Sequence, residues 1–159
     1  MRQIQADPSH PQEVCLFLSS CYIELENLEK AKFWINKCDK KKIVSYRLYW
    51  SVMGKFERMN NNYFECLRWM LKDRNAAMKE SIDYEMEEVL EEMKEKEEFF
   101  KGLLKGLTSI TEKSIENLYS LTILTEICSR FGLEKEKNEL VKNIAELKKL
   151  IPRHEDSSV

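Results

Sequence analysis

The residues with the most evident potential for chemistry are the acidic ones between positions 80 and 98. This stretch carries ten Asp and Glu against two lysines, and several of its acids, such as Glu88 and Glu92, fall on neighbouring helical turns. Paired helical carboxylates can hold two metal ions, but such sites also use a Glu-x-x-His element. The two histidines, His10 and His154, lie near the ends of the sequence. We therefore interpret the acids as a solvated helix face and predict no metal site and no cofactor.

The sequence carries no familiar nucleophile or phosphate-binding motif. There is no G-x-S-x-G, no glycine-rich phosphate loop and no H-E-x-x-H. A cysteine–histidine dyad would require a terminal histidine to fold back. The five cysteines form no C-x-x-C pair, so we interpret them as reduced, mostly buried thiols that act as small apolar residues. The sequence predicts a protein that is not an enzyme.

A basic stretch with interleaved aromatic residues is the second candidate for chemistry. Residues 27–79 carry thirteen Lys and Arg against five Asp and Glu. Lys and Arg neutralise phosphates, and aromatic rings stack on bases. The candidate patch consists of Lys37, Lys40, Lys41, Lys42 and Arg47. The alternative is that the rings belong to the core and the charges face solvent, and a net charge of −2 for the whole chain favours this alternative.

The elements that must position these residues are predicted to be helices. Gly and Pro together number seven, and no proline interrupts residues 12–151. In the segment 82–110, apolar residues recur at alternating spacings of four and three, as in a heptad repeat, except that Lys96 occupies one of the expected apolar positions. Apolar residues at three- and four-residue spacing predict helices over 11–26, 28–39, 43–59, 63–75, 82–110, 115–131 and 134–151. We therefore expect an all-α single domain of about seven helices: two hairpins, a long acidic helix and a closing pair, with loose polar tails at 1–8 and 153–159.

The first two hairpins contain one segment twice. The matching positions are Leu18, Ser19, Tyr22 and Ala31 in the first copy and Gly54, Tyr63 and Cys66 in the second. Ala31 and Cys66 are thirty-five residues apart, close to the period of about 34 residues of tetratricopeptide repeats. Over residues 12–75 the chain resembles this family of α-helical repeats. We expect small side chains at Ala31 and Cys66 because the two helices of such a pair cross closely there.

The resemblance implies a non-enzymatic adaptor, or a small subunit of a larger complex, that binds another protein. In this family the first helix of each pair lines a concave surface. Carried over, that surface holds Glu13, Leu16, Ser20 and Ile23 in the first pair and Leu48, Ser51, Lys55 and Arg58 in the second. Members that clamp a chaperone's C-terminal carboxylate use Lys and Asn where this chain has Leu16 and Ser20, so we do not expect such a clamp. Leu16 and Ile23 instead need an apolar cover, either the chain's own closing helices or an amphipathic helix or apolar peptide of a partner.

Further expectations concern localisation, the charged blocks and partners. We find no apolar leader and no run of eighteen apolar residues, so we expect a cytoplasmic or nuclear protein without a membrane partner. The basic residues 27–79 and the acidic residues 80–98 are expected to attract each other. The sequence ends in a Ser-x-Val pattern that can add a strand to PDZ-type domains. As an alternative function, the basic and aromatic residues of 37–74 could bind RNA or a ribonucleoprotein.

Overall fold

The computed structural model describes residues 11–95 and 97–152, with only the backbone for 97–99, and contains eight α-helices and no strand in that part of the chain. The helices are α1 (Pro11–Glu24), α2 (Leu28–Lys37), α3 (Tyr46–Met59), α4 (Tyr63–Ala76), α5 (Tyr84–Lys94), α6 (Glu97–Ile110), α7 (Leu118–Arg130) and α8 (Glu134–Lys148). The predicted all-α class is confirmed. The chain divides into two compact units between Asp73 and Arg74, within α4.

Several predictions fall on residues outside the described part. These are the polar tails 1–8 and 153–159, the two histidines and the C-terminal Ser-x-Val pattern. They stay predictions.

In the first unit, α1 and α2 form an antiparallel hairpin. Asn27 starts α2, and its side-chain oxygen accepts a hydrogen bond from the Lys30 N–H at 3.2 Å. At the other end, the Asp39 N–H donates to the Gln12 side chain at 2.5 Å, so the end of α2 lies beside the start of α1. The first bond caps the start of α2, and the second holds its end against α1.

Helix α3 packs beside α1 and runs parallel to it. The Glu13 carboxylate, in the first turn of α1, accepts hydrogen bonds from the N–H groups of Val44 (3.0 Å) and Ser45 (3.2 Å), which precede α3. A carboxylate is favoured at a helix N-terminus because the first N–H groups have no partner within the helix. The starts of α1 and α3 are therefore held side by side.

Helix α4 returns antiparallel to α3. Arg47, near the start of α3, donates to Asp73 on α4 at 2.9 Å. Further along, a Cβ atom placed on Gly54 would lie 3.9 Å from the carbonyl oxygen of Cys66 and 3.7 Å from the Met70 side chain. The two backbones thus approach closely at Gly54 and Cys66, where the sequence predicts a close crossing.

One core cluster of the first unit contains Leu16, Ile23, Ala31, Ile35, Cys38, Ile43, Tyr49 and Val52. This corrects the prediction that Leu16 and Ile23 line a partner surface, because their exposed fractions are 0% and 4%. They share a stripe of α1 with Ser19, which is also buried. With α2 and α3 both packed against α1, this stripe points between them into the core.

In the second unit, α5 and α6 occupy the segment for which the sequence predicts one helix of about 28 residues. Helix α5 ends at Lys94, Glu95 lies in a turn, and α6 begins at Glu97. The interruption coincides with Lys96, the position at which the heptad-like spacing of apolar residues is broken. The buried apolar side chains are Met86, Val89, Leu90, Met93, Phe100, Leu104 and Leu107, whereas Ile110, at the end of the heptad-like segment, is exposed.

Helices α7 and α8 pack against each other as the predicted closing pair. Helix α7 is the most buried element of the unit, with Ser120, Leu121, Ile123, Leu124, Ile127 and Cys128 inside. Gly132 follows it with φ 71°, and the Leu133 N–H donates to the Cys128 carbonyl at 2.9 Å. This bond closes the helix end as expected for a left-handed glycine.

Candidate functional site

The four partner-binding residues predicted on α3 lie on one stripe of that helix. Leu48, Ser51, Lys55 and Arg58 are three or four positions apart and therefore share a face. Leu48 packs against the core, Ser51 and Arg58 are half-buried, and Lys55 is exposed. This stripe forms the boundary between core and solvent along α3.

On α1 the structure separates the predicted residues onto two stripes. Glu13 and Ser20 share a stripe with Phe17 and Glu24, at spacings of four, three and four residues. Glu13 is bonded to the start of α3, so this stripe borders α3. Phe17 is 65% exposed, Ser20 is half-buried, and Glu24 is exposed. The exposed apolar position is thus Phe17, one residue after the buried Leu16.

Because Glu13 bonds to the start of α3, we expect this stripe of α1 and the stripe of α3 to border the same line of contact between the two helices. Both helices rise about 1.5 Å per residue, and Glu13 fixes their register against Val44 and Ser45. Ser20 therefore falls near the level of Ser51, and Glu24 near that of Lys55. We define the α1–α3 surface as Phe17, Ser20, Glu24, Ser51, Lys55 and Arg58. It combines one large apolar ring with hydroxyls and charges of both signs.

The four lysines predicted as a basic patch are all exposed. They are Lys37, Lys40, Lys41 and Lys42. The Lys40 ammonium lies 5.8 Å from the ring centre of Tyr49, and that of Lys42 lies 4.0 Å from the Asp39 carboxylate. The fifth residue, Arg47, is paired with Asp73. The patch is therefore basic, and its arginine already has an anionic partner.

Three of the five cysteines are buried as predicted, namely Cys38, Cys66 and Cys128, whereas Cys15 is half-buried and Cys21 is exposed. Burial raises the pKa of Cys38 to about 11, and it raises the pKa of Cys128 to about 11 as well. A thiol reacts as a thiolate, so these two are unreactive at neutral pH. Within residues 11–95 and 97–152, no group of three or more His, Cys, Asp or Glu is arranged to hold a metal ion.

In the described part of the second unit, two clefts each contain a cation that is already bonded within the chain. A cleft of about 320 Å³ is lined by Lys105 and Lys113, among others. The Lys113 ammonium donates to the Thr108 carbonyl at 2.6 Å and to the Thr111 carbonyl at 3.1 Å, which closes the end of α6. The other cleft, of about 260 Å³, contains Arg130, which is paired with Glu87.

Comparison with known proteins adds no relative. No family model matches the chain, and no curated protein and no solved structure matches it either. The resemblance to tetratricopeptide repeats therefore stays a prediction. None of the described helices is both long and apolar enough to cross a membrane.

Proposed function

We propose that this protein is a non-enzymatic interaction module, an adaptor or a complex subunit, that holds an amphipathic helix or apolar peptide of another protein on its α1–α3 surface. Two parallel helices in side-by-side contact leave a shallow groove along their line of contact. Recognition of a helix in such a groove depends on a few apolar anchors, with polar contacts at the edges. Phe17 is the apolar contact, and Ser20, Ser51, Lys55 and Arg58 supply the polar ones.

The exposure of Phe17 is the observation on which the proposal rests. A phenylalanine buries a large apolar area when it is covered, and this one is 65% exposed in the middle of α1. Most of this ring therefore lies outside the core of the first unit. Covering it with a partner would release its hydration water and contribute favourably to binding.

The experiment compares pull-downs from native extract with wild-type protein and the variant Phe17→Asp. We expect Phe17→Asp to keep the wild-type helix content by circular dichroism and to lose the main co-purifying protein. Phe33→Asp is the matched control, because Phe33 is a 52% exposed phenylalanine on α2, outside the α1–α3 surface. It should keep the partner. If both variants, or neither, lose the partner, the α1–α3 surface is not its binding site.

A further inference from the structure

A row of aromatic rings and cations lies on the first unit where α3 and α4 pack together. The Lys72 ammonium is 5.6 Å from the ring centre of Trp50 and 5.4 Å from that of Trp69. The ring of Tyr46 is 6.3 Å from Trp50 and tilted by 30°, and Tyr46 is 50% exposed. Both tryptophans are half-buried. We call Tyr46, Trp50, Trp69 and Lys72 the α3–α4 aromatic surface.

More positive charge adjoins this surface through Tyr49. The ring of Tyr49 packs edge-on against Trp69 at 5.7 Å, and the Lys40 ammonium lies 5.8 Å from the Tyr49 ring centre. Lys41 is the next residue and is exposed. The nearest carboxylate on α4, Asp73, is largely buried and paired with Arg47 at 2.9 Å. Its charge is thereby compensated. The Asp39 carboxylate, beside Lys40, lies 4.0 Å from the Lys42 ammonium, so positive charge still exceeds negative charge around Lys40 and Lys41.

We propose that the α3–α4 aromatic surface, together with Lys40 and Lys41, binds single-stranded nucleic acid. Lysines attract the phosphates, and partly exposed aromatic rings offer faces on which unpaired bases stack. The phosphates of a duplex would also pair with the lysines, but its bases stay stacked on one another and cannot stack on Tyr46. An acidic polypeptide would also satisfy the lysines only. The combination of Tyr46 and Trp50 with Lys72 between two indoles favours the single strand.

This function is separate from the one proposed for the α1–α3 surface. It uses other residues of α3, and none of its four aromatic-surface residues belongs to the α1–α3 surface. The Phe17→Asp variant should therefore bind nucleic acid as the wild type does. Failure of either proposal leaves the other open to its own test.

The first measurement is the fluorescence anisotropy of short labelled oligouridylate and oligothymidylate, titrated with the full chain at several salt concentrations. We expect saturable binding of both strands, weaker binding of a duplex of equal length, and a logarithmic salt slope of about 0.7 per phosphate contacted. Intrinsic fluorescence should be quenched as well, because bases stack near Trp50. A wild-type chain that binds neither strand at low salt overturns the proposal.

Variants with matched controls assign the binding to this surface. Tyr46→Ala should weaken binding roughly tenfold, since one stacked base is lost, whereas Tyr46→Phe keeps the ring and the affinity. Tyr84→Ala removes a 79% exposed tyrosine of the second unit and should change nothing. If Tyr46→Ala and Tyr84→Ala have the same effect, the α3–α4 aromatic surface is not the binding site.

A second set of variants tests the role of charge by replacing two neighbouring lysines at a time. Lys40→Gln with Lys41→Gln should lower the salt slope, by about 0.7 for each phosphate contact removed. Lys148→Gln with Lys149→Gln removes two exposed lysines at the end of α8 and should leave the slope unchanged. Polyglutamate is the competing ligand. If it binds as tightly as oligouridylate, and loses affinity with Tyr46→Ala to the same degree, the surface takes an acidic polypeptide and the nucleic-acid proposal is wrong.

Discussion

At the scale of single residues, one position along α1 separates core from surface. Leu16 is fully buried and Phe17 is mostly exposed. The sequence could not distinguish them, because apolar residues surround α1 on nearly every face and hide the stripe that periodicity would otherwise reveal. The bonds from Val44 and Ser45 to Glu13 hold the first turn of α1 against the start of α3, in a rotation that turns Leu16 inward and Phe17 outward. Predicting such a contact requires knowing that the two helices are neighbours.

The two neighbours should respond in opposite ways to truncation. Leu16→Ala should lower the free energy of unfolding by about 2–5 kcal/mol, because it leaves a cavity among packed side chains. Phe17→Ala should change it by less than about 0.5 kcal/mol. Urea unfolding followed by tryptophan fluorescence reports on the first unit, which holds all three tryptophans. Equal losses for both variants would contradict the rotation of α1 described above.

At the scale of helices, the sequence was enough to predict that the helices exist, but not the residues at which several of them end. Gly132 after α7 is a recognisable helix stop. The residue with a left-handed backbone conformation is Glu26 after α1, Asn61 after α3 and Met78 after α4, with φ between 56° and 60°. Each is followed by an N–H that closes the helix end, as at Gly132. Glutamate and methionine rarely adopt this conformation, so no sequence rule assigns these stops, although the polar turns made their approximate places predictable.

The close crossing of α3 and α4 is the element-scale feature that the sequence did indicate. Gly54→Ala should raise the free energy of unfolding by about 0.5–1 kcal/mol, because alanine is the better helix former. Its methyl group would find ordinary contacts at 3.7–3.9 Å. Gly54→Leu should overpack the crossing and lower that free energy by about 1–3 kcal/mol. The same fluorescence-monitored urea titration measures both, and a leucine tolerated as well as alanine would show that the helices are not in close contact.

At the scale of the whole molecule, the basic and acidic blocks meet at least once inside the second unit. Arg74, which is nearly buried, donates to Asp83 at 2.6 and 3.2 Å and lies 3.4 Å from Glu85. Asp83 also accepts the Met86 N–H at the start of α5. Part of the predicted attraction between residues 27–79 and 80–98 is therefore a local bond between the end of α4 and the start of α5. A charge count predicts attraction but not such a pairing, which depends on the turn between the two helices.

The bond to Arg74 makes the stability of the second unit depend on acid. Burial alone would raise the pKa of Asp83, but the hydrogen bonds from Arg74 and Met86 and the charges of Arg74 and Lys79 hold that pKa below its usual value. The pKa is thus lower in the folded chain than in the unfolded one, where it is about 3.9. The stabilisation is complete above that value and is lost as the pH falls through the folded pKa.

Asp83→Asn tests this dependence. At neutral pH the variant should have a free energy of unfolding lower by about 1–3 kcal/mol, because the nearly buried Arg74 loses its closest anion. As the pH falls below about 3.9 the difference from wild type should shrink, because Asp83 then takes up a proton in the unfolded chain, and the difference is lost once the pH passes the lower pKa of the folded chain. Urea unfolding by far-ultraviolet circular dichroism, repeated from neutral to acid pH, measures it, with Glu91→Gln on the exposed face of α5 as control. A difference that stays constant with pH would mean that the ionised form of Asp83 does not stabilise the fold.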